Sequence, residues 1–167
     1  MKIFGIVGWK NSGKTTLVVG LVKELSARGH RVSTIKHAHH AFDVDQPGKD
    51  SFLHREAGAK EVMISSAGRW ALMHENRDAP EPDLDALLSH MSDVDIVLVE
   101  GFKKGSHEKL EIRLSEKGAP ILAEQDEQVV AFACDGGEWL PDLPRFAHDD
   151  VTGIADFIEK RYGLGQW

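Results

Sequence analysis

The run Lys2-Ile3-Phe4-Gly5-Ile6-Val7-Gly8-Trp9-Lys10-Asn11-Ser12-Gly13-Lys14-Thr15-Thr16-Leu17 sets the architecture of this chain. Gly8 to Thr15 match G-x-x-x-x-G-K-[ST] in full. Such a loop turns its backbone N–H groups inward around a phosphate, and the helix that follows adds its positive N-terminal end. In this reading Gly8, Asn11, Ser12, Gly13 and Thr16 shape and line the cradle, Lys14 reaches the β and γ phosphates, and the Thr15 hydroxyl ligates Mg²⁺. The context agrees. Lys2 to Val7 is a short apolar run bounded by Gly8, as in a buried strand. Leu17, Val18, Leu21, Val22 and Leu25 then recur at helical spacing, and Gly29 supplies a stop.

Working outward, the strand, the loop, a helix over about 14–28 and a strand over about 31–37 make a βαβ unit with parallel strands and a right-handed crossover. Residues 38–49 are polar and broken by Pro47 and Gly48, as in a loop. Asp50 or Ser51 can cap a short helix that Gly58 ends. Two strand-like runs, 61–66 and 69–74, flank Ala67-Gly68 and predict a hairpin. Leu84, Leu87 and Leu88 mark a short helix over 83–91. Asp95-Ile96-Val97-Leu98-Val99-Glu100-Gly101 has the continuous apolar run of a central parallel strand, and 129–134 is similar. Lys109 to Leu114 alternates and is expected as an outer strand. Asp149 to Tyr162 is an amphipathic helix closed by Gly163. The sum is one domain over 1–167: a three-layer α/β P-loop NTPase fold, mostly parallel, with a small antiparallel insertion at about 61–75.

Composition narrows the function. The 167 residues carry a formal net charge of −7, with 41% hydrophobic and 28% charged residues. An acidic chain is poorly suited to neutralising nucleic-acid phosphates, so no nucleic acid is expected as a partner. No apolar run reaches the ~20 residues that span a bilayer, so no membrane is expected either. Met1-Lys2-Ile3 leads straight into the first strand without a signal-like segment, which makes cytoplasm the expected compartment. The lone Cys134 excludes an intrachain disulfide and reads as a small apolar strand residue.

Further candidates lie at strand ends. Glu100 closes an apolar strand at the edge where open α/β sheets hold ligands, placed to help hold Mg²⁺ or orient a water, and so joins Lys14 as a candidate catalytic residue. Asp95 begins the same strand, at the wrong edge, and reads as structural. His37, His39 and His40 follow the second strand. Two imidazoles at that spacing can bind a transition metal or donate to phosphate, or simply form a polar loop. Asp45, in the acidic stretch Asp43 to Ser51, can complete a Mg²⁺ shell or be solvated. Asp135, at the end of strand 129–134, can accept from the N1–H and N2–H₂ donors of guanine or serve a structural turn. No [NT]-K-x-D signature accompanies it.

Taken together, Gly8 to Leu17, Ile35-Lys36-His37-Ala38-His39-His40, Phe42 to Ser51, Ala57-Gly58-Ala59 and Leu98-Val99-Glu100-Gly101-Phe102-Lys103 resemble the MobB family, the molybdopterin-guanine dinucleotide biosynthesis adaptor proteins. The likeness runs from the N-terminus to about Leu114. It implies a GTP-binding protein with weak GTPase activity and Mg²⁺ as cofactor. It further implies a homodimer that works beside the guanylyltransferase joining GMP to molybdopterin, with molybdopterin itself a further candidate ligand. Many proteins of the wider class carry an extra lysine early in the loop; Trp9 stands there and Lys10 falls one residue late, so no trans-acting lysine is assigned. No arginine lies in the P-loop or the His/Asp loop, and the nearest, Arg55, falls in the next helix, so slow hydrolysis is expected. Two other readings share the loop: a small-molecule kinase, and a GTP-switched metal chaperone using the histidines. In the hairpin, Trp70, Leu72 and Met73 can serve a dimer interface or a core.

Overall fold

The computed structural model describes residues 1–38, 42–114, 119–136 and 142–165. The chain divides into two compact units, residues 1–37 with 91–167, and residues 38–90.

The first unit is built on a six-stranded sheet. In chain order its elements are β1 (Lys2–Val7), α1 (Lys14–Ala27) and β2 (Val32–Lys36), then β5 (Ile96–Glu100), β6 (Lys109–Arg113), β7 (Val129–Cys134), β8 (Arg145–Ala147) and α4 (Val151–Tyr162). The strand order is β2-β5-β1-β6-β7-β8, and every pairing is parallel. β1 and β2 share the sheet, as expected, with β5 between them. After β1 the chain crosses toward β2, whereas β6 adds on the other side of β1. The C-terminal end of β1 is therefore a switch point, where such sheets open a crevice for ligands.

The core explains the apolar pattern. Phe4 and Ile6 of β1, Ile96 and Leu98 of β5, Leu110 and Ile112 of β6, and Ala131 and Ala133 of β7 share one cluster with Leu17, Leu21 and Leu25 of α1 and Ile154 and Ile158 of α4. The strand residues recur at period two and the helix residues at three to four, so one sheet face takes both helices. Gly163 ends α4 in a left-handed conformation. The Tyr162 hydroxyl donates to Ile3 O at 2.8 Å, which latches α4 to β1.

The 109–114 segment is not an outer strand: β6 lies between β1 and β7, with Lys109 and Glu111 fully buried. The alternation of charge resembles a solvated face, but both charges are paired. Lys109 Nζ donates to Asp126 at 2.6 Å, and Arg113 donates to Glu111 at 2.8 Å. The sheet also gains β8, whose three residues are too short to show a period.

The second unit contains α2 (Asp50–Glu56), the hairpin β3 (Glu61–Ser65) and β4 (Trp70–His74), and α3 (Leu84–Ser89). The hairpin is antiparallel, with Met63 opposite Leu72, inside the expected insertion. Asp83 caps α3 by accepting from Ala86 N at 2.8 Å. Neither Asp50 nor Ser51 caps α2, whose N-cap is Lys49 with no side-chain bond.

Candidate functional site

The P-loop joins β1 to α1 in the conformation its glycines allow. Gly8 and Gly13 have φ of +155° and +90°, and Asn11 takes a left-handed φ of 58°. A Cβ on Gly8 would stand 2.5 Å from the Ile112 carbonyl oxygen and 2.7 Å from Ser12 Oγ, so only glycine fits between the loop and β6. Among the described residues no side chain caps α1, and its first turn holds no acid, as at helix starts that receive an anion. Ser12 is 2% exposed, and among the described residues its hydroxyl has no hydrogen-bond partner. A buried orphan hydroxyl beside uncapped helix donors fits a phosphate oxygen. Lys14 Nζ arches back over the loop, donating to Trp9 O at 2.7 Å and Gly8 O at 3.2 Å.

Beside the loop, Thr15 Oγ1 donates to Glu100 Oε1 at 2.8 Å. The pair juxtaposes two hard oxygen donors at the switch point, and Mg²⁺ takes such ligands while keeping several waters. Lys36 Nζ sits against both, 3.3 Å from Thr15 Oγ1 and 3.2 Å from Glu100 Oε1. The position thus already accommodates positive charge, and the residues fit a divalent cation.

The loop is also braced from the side. Trp9 Nε1 donates to Pro120 O at 2.9 Å, and Lys103 Nζ lies 3.9 Å above the Trp9 ring. Arg113 donates to Ala119 O at 2.6 Å and Pro120 O at 2.8 Å, and Glu111 accepts from Ala123 N at 3.1 Å. The Glu111–Arg113 ion pair of β6 therefore holds the 119–123 segment that anchors Trp9. Lys103 reaches Trp9 because the chain turns sharply after β5, with φ of +96° at Gly101 and 50° at Phe102. The Phe102 ring stacks on His37 at 4.7 Å, and His37 N donates to Glu100 O at 2.9 Å.

The remaining candidates are dispersed. Asp135 is exposed at the end of β7, two strands from β1 in the sheet order. Thr16 is exposed on the first turn of α1. Asp95, read as structural, accepts from Arg31 N at 2.7 Å and Arg31 Nη2 at 2.8 Å at the opposite edge of the sheet. In the second unit, Arg55 binds both oxygens of Asp45, at 3.0 and 3.4 Å, and also Asp43 at 3.1 Å. The carboxylate expected to face a metal is thus committed to a guanidinium, and Asp45 raises the Arg55 pKa further. His39 and His40 lie outside the described residues, among which no group of three or more His, Cys, Asp or Glu is placed to hold a metal. Burial raises the Cys134 thiol pKa, as suits an inert strand residue.

Sequence reasoning missed Lys36, Lys103 and the Trp9 anchor as parts of the site. Lys36 meets Glu100 because the two are partners across β2 and β5, a pairing hidden when β1 and β2 follow each other in sequence.

Comparison with known proteins identifies the family. Residues 3–135 match the family described as molybdopterin guanine dinucleotide synthesis protein B, MobB. The molybdopterin-guanine dinucleotide biosynthesis adapter protein of Escherichia coli K12 is 44% identical over 162 residues, covering 93% of this chain and 90% of that protein. Its namesake in Haemophilus influenzae is 42% identical, covering 94% and 87%. The crystal structure of Bacillus subtilis MobB superposes with a TM-score of 0.75 at 28% identity, covering 96% of this chain and 98% of that one. A crystal structure of molybdopterin-guanine biosynthesis protein B gives 0.73 at 31% identity, covering 95% and 99%. With a P-loop at the switch point, a matched span of 3–135 and relatives similar over nearly their whole length, this chain belongs to the MobB family.

Proposed function

We propose that this chain is a GTP-binding adaptor for the step that joins GMP to molybdopterin, with at most slow GTPase activity. The observation that carries the reading is the loop itself: a buried Ser12 hydroxyl with no hydrogen-bond partner among the described residues, beside the start of α1, with Lys14 arched above. The loop N–H groups and Lys14 bind the phosphates. Thr15 and Glu100 would hold Mg²⁺, which neutralises phosphate charge when bound. Asp135 reads the guanine edge from the end of β7. The names of the relatives supply the pathway.

Slow turnover follows from what surrounds the loop. Rapid phosphoryl transfer needs a cation at the transferring group and an aligned water, and an arginine finger alone contributes about 10³–10⁵ in rate. The loop carries no arginine, and Arg55 is committed to Asp43 and Asp45. The same economy of groups argues against the kinase reading: a kinase needs an arginine-bearing lid over the phosphates, and in the segment Arg69 to Arg77 residues Trp70–His74 form the strand β4.

The chain acts as a homodimer in this reading, and the hairpin supports it. Met63, Ile64, Trp70 and Leu72 are exposed on a two-stranded sheet, which rarely stands alone. The functional test is reconstitution. Adding the chain to the guanylyltransferase, molybdopterin, GTP and Mg²⁺ raises the yield of guanine dinucleotide, and Lys14→Ala does not. Equal stimulation by both proteins would place the adaptor function outside the P-loop.

A further inference from the structure

Three side chains from separate elements meet at the C-terminal edge of the sheet: Thr15 from α1, Lys36 from β2 and Glu100 from β5. The Lys36 ammonium lies 3.3 Å from Thr15 Oγ1 and 3.2 Å from Glu100 Oε1, while those two oxygens are 2.8 Å apart. Strand register brings this about, because Lys36 and Glu100 are Cα partners and leave the sheet side by side. The partners differ in freedom. The Glu100 side chain is only 10% exposed, whereas that of Lys36 is 58% exposed. A nearly buried carboxylate needs a counter-charge, and a long exposed stem is free to supply one and withdraw it.

We propose that Lys36 is a tethered occupant of the divalent-cation position. Without metal it neutralises Glu100 and keeps the Thr15 hydroxyl turned toward the carboxylate. When Mg²⁺ takes the two oxygens, like-charge repulsion expels the ammonium, and its flexible stem carries it toward the negative triphosphate. This inference rests on the nucleotide-site reading. It assigns a residue that the P-loop pattern does not contain, and it makes metal binding a competition in which Lys36 raises the Mg²⁺ concentration required.

The test is a Mg²⁺ titration of the full chain loaded with fluorescent mant-GDP, on wild type, Lys36→Met and Lys36→Arg, reading the metal dependence of nucleotide release. GDP is chosen because it lacks the γ phosphate, the strongest alternative partner for Lys36. The Mg²⁺ midpoint falls about three- to tenfold in Lys36→Met, the range for one displaced, partly exposed charge. Lys36→Arg keeps the midpoint within about twofold of wild type, since a cation remains. A Lys36→Met midpoint equal to or above the wild-type value overturns the proposal while leaving the nucleotide site standing. A wild type that binds no mant-GDP overturns the site reading and the role of Lys36 with it.

Discussion

Val97 of β5 and Met63 of β3 each occupy an inner position of a five-residue strand, yet Val97 is fully buried and Met63 is 62% exposed. In β5, flanked by β2 and β1, all five residues are buried, so its side chains are shielded from water on both faces. In β3 only Val62 is buried. The first unit closes a core of its own, and its P-loop is held by β6 beneath and by Trp9 at the side. The second unit holds its acidic loop by an ion cluster on Arg55 and leaves apolar side chains exposed. One region is thus packed on itself around the loop, and the other leaves apolar side chains exposed.

Substitutions can break or sharpen that contrast. The largest effect is expected at Gly8. Gly8→Ala forces a Cβ to within 2.5 Å of the Ile112 carbonyl at a φ of +155°, and should cost more than about 3 kcal/mol and abolish nucleotide binding. Gly58 of the second unit is also left-handed, at +110°, but a Cβ there meets nothing within 4 Å, so Gly58→Ala should cost about 1 kcal/mol. Urea denaturation of the two variants compares them directly, and equal losses would dissolve the distinction.

Truncation gives the next contrast. Leu21→Ala empties a fully buried position of the α1 face and should cost about 3 kcal/mol. Met63→Ala, at an exposed position, should stay within about 0.5 kcal/mol. The hairpin matters in a different measurement. Replacing Trp70, 63% exposed, by Ser should leave the monomer's stability nearly unchanged while halving the molar mass seen by light scattering at micromolar concentration. A wild type already monomeric at that concentration would rule out the homodimer.

The smallest effect concerns acid. Arg31 holds the Asp95 carboxyl at about 2, below the usual 3.8. The native chain keeps this group ionised where the unfolded chain has taken up a proton. Its stabilisation is therefore complete above about pH 4 and lost as pH falls toward 2. Asp95→Asn should flatten that limb of the melting temperature against pH, slightly, because the pair is solvent-exposed. A limb of unchanged steepness would show that other carboxylates set it.

The same contrast explains what could be read in advance. The P-loop, β5 and α1 were legible because phosphate chemistry and double-sided burial each leave a local signature. The hairpin was legible from its turn, Ala67-Gly68 between two apolar runs. β6 reads as an edge strand because buried ion pairs mimic a solvated face: Glu111 meets Arg113 on the same side of the strand, and Lys109 finds Asp126 only where the chain returns past it. The meeting of Lys36 with Glu100 depends on β5 entering between β1 and β2, which no stretch of the chain encodes locally. Asp45 looked like a metal ligand because its partner Arg55 lies ten residues on, in another element.

Equilibrium binding of GTP and ATP with Mg²⁺, to the wild type and to Lys14→Ala, asks whether the loop from Gly8 to Thr15 binds GTP. The wild type should bind GTP, and ATP more weakly, and Lys14→Ala should lose at least about tenfold in GTP affinity, as expected for removing a charge-assisted phosphate contact. GTP affinity unchanged by Lys14→Ala, or no binding of either nucleotide to the wild type, would contradict GTP binding by the loop.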